Sequence, residues 1–300
     1  MYYQFIRLKT KTISMRKNLI TALAFVAVSL VFTNCKKEET GSGEPEVEFL
    51  ASLDVETKHA VLEDYTGVRC GFCPDGHLRA QALIDQYGDN VVVLGVNAGS
   101  YAAPSANWAN FTTPYGQAFI NLAQPSGYPN GSVNRVKYAP AATSGTSMGR
   151  GSWKSAAEAM MTENSPVNIG AKATFNSSTR ELTVKVDAYY TADGNGANKL
   201  NIAFLQSGMV ANQSGGGQNY VHKHVLRDLI TGQWGDDIPA ESTAMGSRYS
   251  KTYTYTVPAD FNGPVIPPGG GEVFIQDCKL AIYIAEGQEN IYTGINVTID

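Results

Sequence analysis

The chain has 300 residues, with 23 Lys and Arg against 27 Asp and Glu, 43 % apolar residues and 10 % aromatics. This composition excludes a disordered chain, and a net charge of −4 leaves no basic excess to release counterions from a nucleic acid. Four cysteines are too few for a disulfide-scaffolded mini-protein, so what they do depends on where each one sits.

Residues 1–34 contain Arg7, Lys9, Lys11, Arg16 and Lys17 and no acidic residue, and Leu19 to Thr33 form an uncharged, mostly apolar run that stops just before Cys35. The run is shorter than the roughly 20 residues a membrane-spanning helix needs, so it reads as an export signal. Met15, directly before Arg16 and Lys17, is a second candidate start. A cysteine at this place resembles the lipobox of bacterial lipoproteins, although Phe32-Thr33-Asn34 depart from its usual small-residue pattern, and Glu38-Glu39 resemble the surface-export signal of Bacteroidetes lipoproteins. The resemblance implies a lipid anchor at Cys35 and a membrane as partner, with an ordinary secretory peptide and a bystander Cys35 as the alternative. Residues 1–34 carry five of the 23 basic residues and none of the acidic ones, so their removal takes the net charge to −9. Residues 35–46, polar and rich in Gly and Glu, read as a flexible tether.

His59 to Gly67 reads as a strand running into a turn, followed by Cys70-Gly71-Phe72-Cys73-Pro74 and an amphipathic helix with Leu78, Ala82, Leu83 and Tyr87 at helical spacing. Gly88 ends the helix, and Val91 to Val96 is a β-branched run suited to a strand buried on both faces. A cysteine at the start of a helix faces unpaired N–H groups and the positive end of the helix dipole, which favour thiolate. Cys70 is then the attacking sulfur, and Cys73, one turn further on, the resolving thiol. An inert structural disulfide, or half of a metal site completed by His77, His222 and His224, is also compatible with the pair. The order strand, CxxC, helix, strand resembles the thioredoxin superfamily. That resemblance implies that Asp64, six residues before Cys70, is a buried proton acceptor, with Glu63 as the competing acid. It also implies that Tyr128-Pro129 is a cis-proline docking backbone facing the thiols, a plain β-turn through Pro129-Asn130-Gly131 being the alternative. Arg69, Gly71-Phe72 and Pro74 depart from the usual residues at their places, and Ala98 to Ala123 is long enough to form an insertion over the site.

Trp153 to Met161 has helical spacing, and Asn164-Ser165-Pro166 then breaks the chain. Beyond it, Val167–Phe175, Glu181–Tyr190, Leu200–Gln206, Ser250–Val257 and Leu280–Ala285 read as strands at the spacing of a β-sandwich. His222 and His224 alternate as on one strand face, and Ser207 to Gly217 and Pro264 to Gly271 read as glycine-rich loops. Tyr249, Tyr253 and Tyr255 read as sheet-face aromatics and Cys278 as a buried free thiol.

The lipobox-like start, LEDYTGVRCGFCPDGH, GYPNGSVNR, HKHVLRD and the β-rich second half together resemble the Omp28-related outer membrane lipoproteins over roughly residues 55–300. The fold expected is an α/β thioredoxin-like domain (47–164) followed by an all-β, immunoglobulin-like sandwich (165–300), outer-membrane and lipid-anchored, facing the periplasm or the surface. The function expected is thiol-disulfide exchange with envelope or surface proteins through Cys70, Cys73, Asp64, Tyr128 and Pro129, with no cofactor and no metal ligand set. Its alternative is a surface lipoprotein that binds or adheres to a partner and uses the CxxC disulfide structurally.

Overall fold

The computed structural model describes residues 48–105, 107–142, 144–261 and 272–300. The export signal, the anchor candidate Cys35, the tether and the glycine-rich segment 264–271 lie outside these residues. In chain order the elements are β1 (Ala60–Thr66), α1 (Cys73–Tyr87), β2 (Val91–Asn97), α2 (Gly116–Ala123), β3 (Asn130–Val133), β4 (Met148–Gly149) and α3 (Trp153–Met160). There follow β5 (Val167–Asn176), β6 (Glu181–Tyr190), β7 (Asn198–Gln206), β8 (Met209–Gln213), β9 (Gly217–His222), β10 (Val225–Leu229), β11 (Asp236–Asp237), β12 (Arg248–Thr256), β13 (Cys278–Glu286) and β14 (Glu289–Thr298).

β1 and β2 are buried along their whole lengths and pair in parallel across α1, a βαβ unit in which the apolar β-branched run of β2 needs cover on both faces. The side-chain period of two then divides β1. Ala60 and Leu62 pack under Ala80 and Leu83 of α1 and Trp153, Ala156 and Ala157 of α3, whereas Val61 and Tyr65 join Phe119 and Ala123 of α2. Along α1 the buried stripe is Cys73, Gly76, Ala80 and Leu83, and Leu78, expected on the apolar face, is 68 % exposed. Gly76 is in the stripe because α1 comes down there onto Pro129 and Trp153, where an added Cβ would sit 2.9 Å from Pro129 Cβ.

Strands from both sides of residues 164 and 165 share one sheet. Nine strands, in the order β14-β13-β7-β10-β2-β1-β3-β4 with β11 also paired to β7, make up the larger sheet among the described residues. The seam is β10 against β2, a parallel bridge of Val225 with Gly95, reinforced by Gly95 N donating to the His224 carbonyl at 2.7 Å. A second sheet, β12-β6-β5, lies over the far end. Leu182, Val184, Val186 and Ala188 of β6 share a core with Ile202 and Phe204 of β7 and Ile282 and Ile284 of β13. The alternate residues Ala203, Leu205, Ala281 and Tyr283 join Val61 and Leu94 on the other face, so β7 and β13 are buried on both sides. Tyr253 belongs to the first of these cores, with Tyr249 and Tyr255 packed against it, which accounts for the tyrosines of β12.

Two segments depart from the sequence reading. Ser207 to Gly217, read as a loop, is β8 and the turn of a hairpin with β9. The leading residues are tied to the second half: Leu50 N donates to Asp187 Oδ2 at 2.8 Å, Asn168 Nδ2 to the Ser52 carbonyl at 2.9 Å, and Gly170 lies against the Leu50 backbone.

Candidate functional site

Cys70 and Cys73 form a disulfide. Cys73 is the first residue of α1, with Phe72 at the N-cap and Pro74 in the first turn, and Cys70 lies in the turn before it. Cys70 is 2 % exposed and Cys73 fully buried, whereas Phe72 between them is 71 % exposed. The cover is the β8–β9 hairpin. Gln213 Nε2 donates to the carbonyls of Cys70 at 3.0 Å and Gly67 at 3.3 Å, and Ser214 N donates to the Val68 carbonyl at 2.8 Å. Gly215, at φ +76°, meets the Gly71 carbonyl so closely that a Cβ there has no room. The segment Ala98 to Ala123 contributes beside the site: Tyr101 accepts from Arg69 N at 3.0 Å, and Phe111 packs with Val68, Met209 and Ala211.

Glu63 and Asp64 are both buried, on opposite faces of β1. Glu63 accepts from Arg135 Nε at 2.8 Å and Nη2 at 2.6 Å and from the Tyr65 hydroxyl at 2.9 Å. The Arg135 guanidinium lies 4.9 Å from the Phe119 ring centre and 5.3 Å from those of Trp234 and Tyr283, so Glu63 belongs to a packed ion pair remote from the thiols in role. Asp64 has no such partner among the described residues: its Oδ1 has no hydrogen bond there, and its Oδ2 is 3.8 Å from His77 Nε2. Burial pushes its carboxyl up to about 8, so it carries a proton at neutral pH.

His77, three residues past Pro74 on α1, bridges the two halves. Its Nε2 is 2.9 Å from Thr66 Oγ1 and its Nδ1 is 2.8 Å from the hydroxyl of Tyr220 on β9. Burial holds its imidazole neutral, down to about 4. His222 and His224 do not share a strand face: β9 ends at His222, and His224 turns the chain at φ +55°. Both stand near His77 and are lowered to about 3, chiefly by burial. Among the described residues no group of three His, Cys, Asp or Glu is placed to hold a metal ion.

The Tyr128–Pro129 peptide is cis. Pro129 is buried against Gly76, and Tyr128 packs its ring on Tyr101 at 5.5 Å. β3, which starts at the next residue, is paired on both edges, with β1 and β4. Cys278 is a free buried thiol, raised to about 12 by burial, that donates to the Phe274 carbonyl at 3.2 Å. The structure thus gathers Cys70, Cys73, Asp64 and Pro129 around the first turns of α1. It adds Gln213, Gly215 and Tyr220, for which the sequence carries no signal beyond the glycines of the hairpin turn.

The family model "Outer membrane protein Omp28" matches residues 116–264, a span that holds Tyr128-Pro129, the hairpin and both His222 and His224. Among solved structures, HBP35 of Porphyromonas gingivalis is 21 % identical, with a TM-score of 0.63 over 82 % of this chain and 76 % of that one, a likeness of fold. A domain of the outer membrane lipoprotein Omp28 from Porphyromonas gingivalis is 17 % identical, with a TM-score of 0.31 over 45 % of this chain and 89 % of that one. No curated protein matches the chain significantly.

Proposed function

As the chain is Omp28-related over residues 116–264, we propose that it is an outer-membrane surface protein with a binding or adhesion role, lipid-anchored at Cys35, whose Cys70–Cys73 disulfide is a structural brace. On this reading the first half is thioredoxin-like and joined edge to edge with an immunoglobulin-like sandwich half, which offers the binding surface to an envelope or surface ligand. The observation that carries it is the hairpin seal. A disulfide-exchange catalyst needs one sulfur open to an incoming thiolate, and here Gln213, Ser214 and Gly215 close the turn that carries Cys70.

The competing reading, exchange with protein thiols through Cys70 and Cys73, draws on the protonated Asp64, which faces His77 on the helix that begins at Cys73, and requires the hairpin to lift. Redox titration of the folded protein separates the two. The structural reading expects a potential below about −300 mV, reduction by dithiothreitol only in denaturant, and no turnover of a model protein disulfide. Rapid reduction of the native protein, with catalysed exchange, overturns it. In parallel, the Cys70→Ser/Cys73→Ser variant is expected to keep its binding to envelope or matrix preparations.

A further inference from the structure

The disulfide reading leaves unused a cavity of about 260 Å³ between α1, the C-terminal ends of β1 and β2, and the turn from β9 into β10. Crevices at the carboxyl ends of parallel strands are where open α/β sheets take ligands. Its apolar lining comes from Leu78, Ala80, Val93 and Val221, and Leu78 and Val221 are 68 % and 47 % exposed at its rim. Its polar lining includes Thr66, His77 and Tyr220, which pair with one another, and Asp64, His222 and His224, four of whose atoms have no hydrogen bond among the described residues: Asp64 Oδ1, His222 Nε2 and both ring nitrogens of His224. His222 is only 4 % exposed. Its other nitrogen is engaged by the Ala211 backbone and its ring is set edge-on to Phe111 at 4.8 Å, so Nε2 is held as a fixed acceptor. A buried polar group left unpaired costs about 1–3 kcal/mol, and several in one cavity are what a built recognition site presents.

The chemistry of the lining selects the occupant. Apolar walls with a few polar groups along the edges suit a flat ring with heteroatoms in its rim. The interior offers no countercharge: burial keeps the three imidazoles neutral and the Asp64 carboxyl protonated, so an ion would lose its hydration for nothing. The charged lining residue, Lys223, is at the mouth, where its Nζ donates to Gln81 Oε1 of α1 at 3.1 Å. Cavities of about 150 Å³ already take benzene, which leaves room here for two fused rings.

We propose that this cavity binds a small uncharged heteroaromatic molecule of one or two rings, with His222 Nε2 as the acceptor and Asp64 and His224 reading the rest of its edge. The site stands whether the disulfide is structural or catalytic. The test is nitrogen-15 NMR of the imidazoles in the full chain, titrated with adenine and, as charged counterparts of similar size, benzoate and benzamidine. Adenine is expected to shift the His222 and His224 signals saturably, and each charged probe to bind at least tenfold more weakly. His222→Phe keeps the ring and removes Nε2, and is expected to weaken adenine at least tenfold. If that variant does not fold, the wild-type titration decides alone. No saturable shift with adenine, or tighter binding of either charged probe, overturns the proposal.

Discussion

Glu63 and Asp64 are neighbours on one strand, buried to the same degree, and differ in what stands opposite them. On the α2 face Glu63 meets a guanidinium clamped between three aromatic rings; on the α1 face Asp64 meets a neutral histidine at 3.8 Å and a cavity. A buried charge is tolerable when paired and hydrogen-bonded, and where pairing is missing the group gives up its charge instead. One face of β1 is therefore built for cohesion, and the other keeps reactive, neutral hydrogen-bonding groups in reserve.

The sharpest way to break this contrast is Arg135→Ala, which leaves Glu63 buried without its partner. The expected loss is about 3–5 kcal/mol of unfolding free energy by denaturant titration at pH 7; a loss under about 1 kcal/mol would mean that the pair does not hold this face. The opposite outcome is expected for Asp64→Asn. The folded chain keeps the Asp64 proton up to about 8, whereas the unfolded chain loses it near the ordinary 3.8, so stability falls with rising pH across that window. Removing the acid should stabilise the protein at pH 7, on the order of 4 kcal/mol, and make little gain at pH 4. His77, His222 and His224 act in the other sense. Neutral in the fold and protonated in the unfolded chain below about 6.5, they lower stability as pH drops. Wild-type stability should thus peak between about pH 6 and 7, and thermal melts across pH 4–9 would show a flat profile if these groups were solvated.

Smaller effects probe the hairpin that roofs the α1 face. Cys70→Ser/Cys73→Ser is expected to cost about 2 kcal/mol, because the bond closes only a short loop. Tyr220→Phe removes the hydroxyl that holds β9 to His77, for about 1 kcal/mol, and should lower the denaturant concentration at which dithiothreitol reduces the Cys70–Cys73 bond. An unchanged denaturant threshold would mean that the hairpin stays down without that bond.

The sequence makes the β1–α1–β2 unit legible because every signal in it is local: an apolar run, a CxxC, a helical period and a second apolar run within forty residues. Burial of Asp64 and Cys70 was legible only in part. Strand period puts Glu63 and Asp64 on opposite faces, but Arg135, which decides their difference, is 72 residues away. The hairpin was hidden by its own composition, since Ser-Gly-Gly-Gly reads as loop. Gly215 among them serves a close approach to Gly71 that becomes visible only when residues 143 or more apart meet. Leu78 shows the converse error, an apolar residue at the right helical phase that forms the rim of a cavity instead of core.

The lacing of the leading residues carries a mechanical consequence. Leu50 and Ser52 are fastened to β6 and β5 through Asp187 and Asn168, so a pull along the proposed lipid tether would load the three-stranded sheet before it reached β1 or the disulfide turn. The three-stranded sheet would act as the strain relief of a cable, and the cavity and the hairpin would keep their shape under the pull.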